Sequence, residues 1–126
     1  MILGIGTDII EVERFDELLA RRGVALAERL LSDSEMVGFA AHQTPARYLA
    51  KRFAAKEAAL KALGTGLRNG MRWKDISVEH DELGKPLLAF FGAAKAHVDA
   101  LGVNASHITI SDERHYVVAF VIIERS

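Results

Sequence analysis

The stretch from Arg52 to Gly66 constrains the rest of the chain more than any other. It is built mainly of Ala, Leu, Lys and Glu, which are strong helix formers, and Gly64 stands where a C-terminal glycine cap belongs. Upstream, Thr44-Pro45 supplies a start, because proline suits the first turn of a helix. Tyr48, Leu49, Phe53, Leu60 and Leu63 recur at helical intervals and mark the face turned inward. Glu57 falls on that same face, four residues after Phe53 and three before Leu60.

A carboxylate on an apolar face needs a partner, since burying an unpaired charge is costly. Two readings stay open. One is an ordinary pair with Lys61, one turn further on, at the edge of the interface. The other is a metal or proton site with Lys61 beside it. Between Arg47 and Lys74 the basic residues are Arg47, Lys51, Arg52, Lys56, Lys61, Arg68, Arg72 and Lys74, and Glu57 is the only acid. The whole chain carries a formal net charge of −1, so positive charge is concentrated here. A local basic surface draws phosphates or an acidic partner, unless it is simply a solvated helix face. A lone carboxylate within such a field suits a divalent cation that bridges to a phosphate.

The 126 residues fit one domain, 1–126, and the half of them that are hydrophobic supply a mostly aliphatic core. The absence of cysteine excludes disulfides, thiolate metal sites and a cysteine nucleophile. His42, His80, His97, His107 and His115 lack the short spacings of a zinc site. Nothing resembles a signal peptide, and no apolar run approaches the roughly 20 residues that span a bilayer. The expectation is a soluble, cytoplasmic protein with no membrane contact. A pI near 6.5 argues against bulk nucleic-acid binding.

Residues 2–10 read as a buried strand interrupted by Gly4 and Gly6, which suggests close approach of another backbone or a ligand. A dinucleotide motif fails, because Ile9 stands where a third glycine belongs. Asp8, near the end of this strand, is either an N-cap for the next helix or a hard oxygen ligand for magnesium. A surface helix follows over 11–22, with Val12, Phe15, Leu18 and Leu19 on one face and Arg14 and Arg21 sharing another. Shorter helices are expected over 24–31 and 33–41, the latter opened by a Ser32–Glu35 capping box. After Gly64-Thr65-Gly66 and a loop over 67–70, strands 76–80 and 87–91 form a hairpin around Gly84-Lys85-Pro86. A helix over 93–101 and strands 108–111 and 116–123 complete the chain.

Gly6-Thr7-Asp8-Ile9 taken with Arg52-Phe53-Ala54-Ala55-Lys56-Glu57-Ala58, Lys61 and Gly64-Thr65-Gly66 resembles the signature of the 4′-phosphopantetheinyl transferases. It is most similar to their short bacterial form, the holo-[acyl-carrier-protein] synthase family. The resemblance covers nearly the whole chain. It implies an α+β fold with an antiparallel sheet packed on a long central helix plus shorter helices. It implies transfer of phosphopantetheine from coenzyme A to a serine of apo acyl carrier protein, in support of fatty acid biosynthesis. Asp8 and Glu57 then bind Mg2+, and Asp8, Glu57 and Lys61 form the catalytic set, with Glu57 as the candidate base. Coenzyme A contacts fall to Arg52, Lys61, Gly64, Thr65, Gly66, Gly84, Lys85 and Pro86, and carrier docking to Arg14 and Arg21. The resemblance further implies a homotrimer with active sites between protomers.

The chain departs from the family at Asp112, where many members carry histidine. An ionised carboxylate repels phosphate, so no substrate role passes to it. It either orients a basic neighbour or is a turn residue, with the turn preferred. The alternative to an enzyme is a non-catalytic anion-binding or carrier-docking module. Such a module gains nothing from acids facing a phosphate.

Overall fold

A computed structural model describes all 126 residues. Strand β1 (Ile2–Glu11) runs into helix α1 (Val12–Arg22), followed by α2 (Val24–Leu30), α3 (Asp33–Ala41) and the 19-residue α4 (Pro45–Leu63). The hairpin β2 (Ile76–His80) and β3 (Pro86–Phe90), helix α5 (Gly92–Leu101), β4 (Ala105–Asp112) and β5 (Tyr116–Glu124) complete it. The long strands form an antiparallel sheet in the order β1-β5-β4, and β2-β3 forms a second, two-stranded sheet. The expected α+β architecture on a long central helix is what the chain adopts.

Helix α4 is buried on more than one face, because alanines let neighbours approach wherever they point. Ala50, Ala54, Ala55, Ala58, Ala59 and Ala62 are all buried beside Tyr48, Leu49, Leu60 and Leu63. The glycines of β1 match them. A Cβ on Gly4 would collide with the carbonyl oxygen of Ala62, and one on Gly6 with that of Ala58. Gly64 closes the helix in the left-handed conformation (φ 77°), its N–H bonded to the carbonyls of Leu60 and Lys61.

Only one face of the β1-β5-β4 sheet is covered by α4. The sequence predicts a buried strand over 2–10, yet Ile5 and Ile9 are exposed, as are Val118 and Phe120 on β5. Gly6 and Ile10 turn inward instead. Two glycines on the packed side leave β1 with its larger apolar residues on the open one.

A second anchor is ionic. Ser32 and Glu35 form the expected capping box at the start of α3. Glu35 also accepts from the ammonium of Lys56 at 2.6 Å and from the N–H of Val78 at 2.9 Å. Lys56 donates further to the carbonyls of Leu30 (2.7 Å) and Trp73 (3.1 Å). Burial pushes its ammonium below its usual value, and Glu35 opposes that shift. Lys56, counted by sequence among the surface bases, thus has no exposed surface.

Candidate active site

The packing of β1 on α4 sets the register of the acids. Gly4 meets Ala62 and Gly6 meets Ala58, so two strand residues span one helical turn. Two residues further on, Asp8 comes level with the turn that carries Glu57. Its neighbour across the sheet is Ala119, a buried residue with no bulk to displace it. Asp8 lies inside the strand, and α1 is preceded by Glu11 with no side-chain cap. The N-cap reading of Asp8 is therefore excluded.

Lys61 donates to Asp8 Oδ1 at 3.1 Å and to the carbonyl of Thr7 at 3.0 Å. It makes no bond to Glu57, so the simple Glu57–Lys61 pair does not form; the strand carbonyl and carboxylate together offer the ammonium two acceptors. Asp8 is largely buried, and its second oxygen, Oδ2, has no hydrogen-bond partner. Glu57 is half-buried. Burial first, and the Asp8 carboxylate second, push its carboxyl above the ordinary range, while Lys61 and Arg14 pull it down. The Asp8 carboxylate acts on Glu57 by repulsion, and Asp8 itself keeps an orphan oxygen. A hard divalent cation answers both features, and magnesium is commonly held by one or two carboxylates, water and substrate phosphate. The donor set fits that ion.

Arg14 connects the acids to a groove between α1 and α2. This groove, about 290 Å³, is floored by Phe15, Leu18, Leu26, Leu30, Phe53 and Trp73 and edged by Arg14, Arg22 and Arg29. The rings of Phe15, Phe53 and Trp73 pack in series, 5.5 Å and 5.0 Å between centroids. Arg21 is exposed but does not line it. Sequence periodicity singled out Arg14 and Arg21 because they share a helix face. It could not supply Arg29 or Trp73, which reach the groove from other segments.

The remaining candidates lie elsewhere in the chain. Gly64, Thr65 and Gly66 directly follow α4, one helical turn beyond Lys61, and Thr65 Oγ1 is a buried atom without a partner. Arg52 stacks over Tyr48, 3.7 Å from its ring centre, and its Nε is also unpartnered. With Lys51 it faces His80, whose ring is pushed below its usual value by burial and then by the two cations. Gly84, Lys85 and Pro86 form the tip of the β2-β3 hairpin. Lys85 reaches a shallow groove with His107, Thr109 and Phe120 on the open face of the sheet. No hydrogen bond or ion pair joins Arg52 or Lys85 to Asp8, Glu57 or Lys61 within the chain.

Asp112 ends β4 opposite Val117 and binds Arg47 at 2.9 Å, with Lys51 at 3.7 Å. Arg47 also donates to the carbonyls of Glu113 and Arg114. Asp112 thus holds basic neighbours and is not merely a turn residue.

A family model described as the 4′-phosphopantetheinyl transferase superfamily matches residues 4–121. The chain is similar to the holo-[acyl-carrier-protein] synthase of Klebsiella pneumoniae (strain 342), 54% identical over 123 residues that cover 98% of each chain. Its fold is similar to the crystal structure of the Neisseria meningitidis synthase. There the TM-score is 0.94 and the identity 42%, covering 99% of this chain and 100% of that one. A Bacillus anthracis synthase crystallised in complex with CoA (3′,5′-ADP) gives a TM-score of 0.83 at 34% identity, covering 100% and 99%.

Proposed function

The chain belongs to the 4′-phosphopantetheinyl transferase superfamily, and from that we infer that it is a holo-[acyl-carrier-protein] synthase. It moves the 4′-phosphopantetheine of coenzyme A onto a serine of apo acyl carrier protein, releasing 3′,5′-ADP, in support of fatty acid biosynthesis. The observation that carries this reading is the pairing of Asp8, with its orphan oxygen, and the half-buried Glu57 beside the cationic groove.

The serine oxygen forms a bond to the β-phosphorus as the bond to the 3′,5′-ADP phosphate breaks. Phosphoryl transfer asks mainly for in-line placement and neutralised charge. Mg2+, held by Asp8 and Glu57, would supply charge neutralisation on the diphosphate. Lys61 leads from the same carboxylate toward the phosphates and adds a mobile positive charge. The serine proton passes to Glu57, directly or through water. Its raised affinity for a proton suits a base that must accept one and give it up again.

The groove with Arg14, Arg22 and Arg29 suits an acidic, amphipathic helix of the carrier. Arg14 then stands between the docked carrier and Glu57. Arg21 extends the same basic surface beyond the groove. Coenzyme A is held by Lys61, Gly64, Thr65 and Gly66 of one protomer and by Arg52 and the Gly84-Lys85-Pro86 tip of another. The homotrimer we propose joins these halves. Support comes from the open sheet face, where Ile5, Ile9, Val118 and Phe120 lie exposed on neighbouring strands. No helix is long and apolar enough to cross a membrane. We place the reaction in the cytoplasm.

Product analysis tests this reading. With an apo carrier and Mg2+ present, coenzyme A consumption should match 3′,5′-ADP release one for one. Coenzyme A that binds without releasing 3′,5′-ADP under those conditions would instead favour the binding module.

A further inference from the structure

Lys61 sits on the acid best placed to take a metal. Its ammonium contacts one oxygen of Asp8 and the backbone carbonyl of Thr7, two hard acceptors of the kind a divalent cation also uses. The other Asp8 oxygen is buried and unpartnered. The Lys61 side chain is 57% exposed while that of Asp8 is 15% exposed, so the pair reaches water from the lysine side. The same exposure means that Lys61 can leave Asp8 without repacking the core. An ammonium and a divalent ion on one carboxylate repel each other. A diphosphate offers anionic oxygens to both.

We propose that Lys61 is a stand-in cation, which guards Asp8 against a divalent metal in the free protein and moves to the diphosphate when coenzyme A arrives. Resting on the metal-dependent reading above, this makes metal and coenzyme A binding cooperative. By linkage, each raises the affinity for the other by the same factor. It also gives the lysine two successive partners. Before substrate it lowers the repulsion between Asp8 and Glu57; after substrate it neutralises phosphate. Asp8, with that competing charge drawn away, would then be free to hold the metal.

Mn2+ binding to the intact protein, followed by the electron paramagnetic resonance signal of free Mn2+, tests this. The parent, Lys61→Met and Lys61→Gln are titrated with and without coenzyme A, with coenzyme A alone as the blank. The exposed position of Lys61 makes both variants compatible with the fold. The expected result is that both bind Mn2+ about tenfold tighter than the parent when coenzyme A is absent, a coupling of ordinary size. Coenzyme A should tighten Mn2+ binding in the parent and much less in the variants. Asp8→Asn should abolish the gain. Equal Mn2+ affinity in parent and variants without coenzyme A would overturn the guarding role and leave the metal site standing. Failure of Mn2+ to bind the parent even with coenzyme A would overturn the metal reading and the proposal with it.

Discussion

Gly6 lies so close to Ala58 that a single Cβ on the glycine would overlap the alanine's carbonyl oxygen. That contact is between backbones, so no side-chain rotation relieves it. Gly6→Ala must push β1 off α4, and with it Asp8 away from Glu57. The expected cost is about 1–3 kcal/mol or more in urea unfolding, as for other overpacked sites. Turnover should fall further than stability alone explains, measured at a temperature where the variant remains folded. A variant with parental stability and turnover would show that the glycine register does not position the acids.

Lys56→Met should be far more damaging than a loss of surface charge. It leaves Glu35, which is 2% exposed, with a buried carboxylate lacking its cation, and it abandons the carbonyls of Leu30 and Trp73. Breaking a buried pair from one side costs roughly 3–5 kcal/mol. Glu35→Gln/Lys56→Met removes both charges and should recover much of that loss. Urea denaturation of both variants decides between this and a dispensable lysine.

These two cases show what the sequence could and could not reveal. Gly4 and Gly6 within an apolar strand point to close approach of another backbone or a ligand, and the helix backbone of α4 is what approaches. The capping box was legible because both its members are local. The remote partners of Glu35 were not, since Lys56 and Val78 lie 21 and 43 residues away. Nothing local separates a buried lysine from its surface neighbours in a run of bases. Asp112 likewise finds Arg47 across 65 residues. The exposure of Ile5 and Ile9 depends on which sheet face α4 covers. Asp8 and Glu57 stand out as acids in apolar settings, and only the family resemblance joins them as one site; their common register is set by packing.

Glu57 carries a pH dependence whose sign follows from its raised carboxyl, held up first by burial and then by Asp8. The folded chain binds this proton more tightly than the unfolded one. That contribution to stability is present at low pH and is lost as pH rises through the raised value. Glu57→Gln removes the charge. Without metal it should therefore be more stable than the parent at neutral pH. The advantage should shrink as pH falls from the raised value toward the ordinary carboxylate range. Thermal melts across that window in chelator provide the measurement. An advantage that grows on acidification would reverse the assignment. In turnover, the same variant should lose far more activity than coenzyme A affinity. Equal losses would leave Glu57 a ligand only.

Arg29 edges the groove without touching the acids, so its reversal separates docking from chemistry. Arg29→Glu should raise KM for the carrier about tenfold or more, since a like-charge contact replaces an attractive one. KM for coenzyme A and kcat should stay near parental values. Added salt should raise the parent's carrier KM as well, because exposed charges are screened. A carrier KM indifferent to both changes would place docking elsewhere.

The most direct measurement is the intact mass of an apo acyl carrier protein incubated with this protein and coenzyme A. Reactions would run with Mg2+, with a chelator, and with Asp8→Ala in place of the parent. The expected result is a gain of one phosphopantetheine with the parent and Mg2+, and none with the chelator or the variant. An unchanged carrier mass with parent, coenzyme A and Mg2+ all present would contradict the transferase, and full modification by Asp8→Ala would contradict the site.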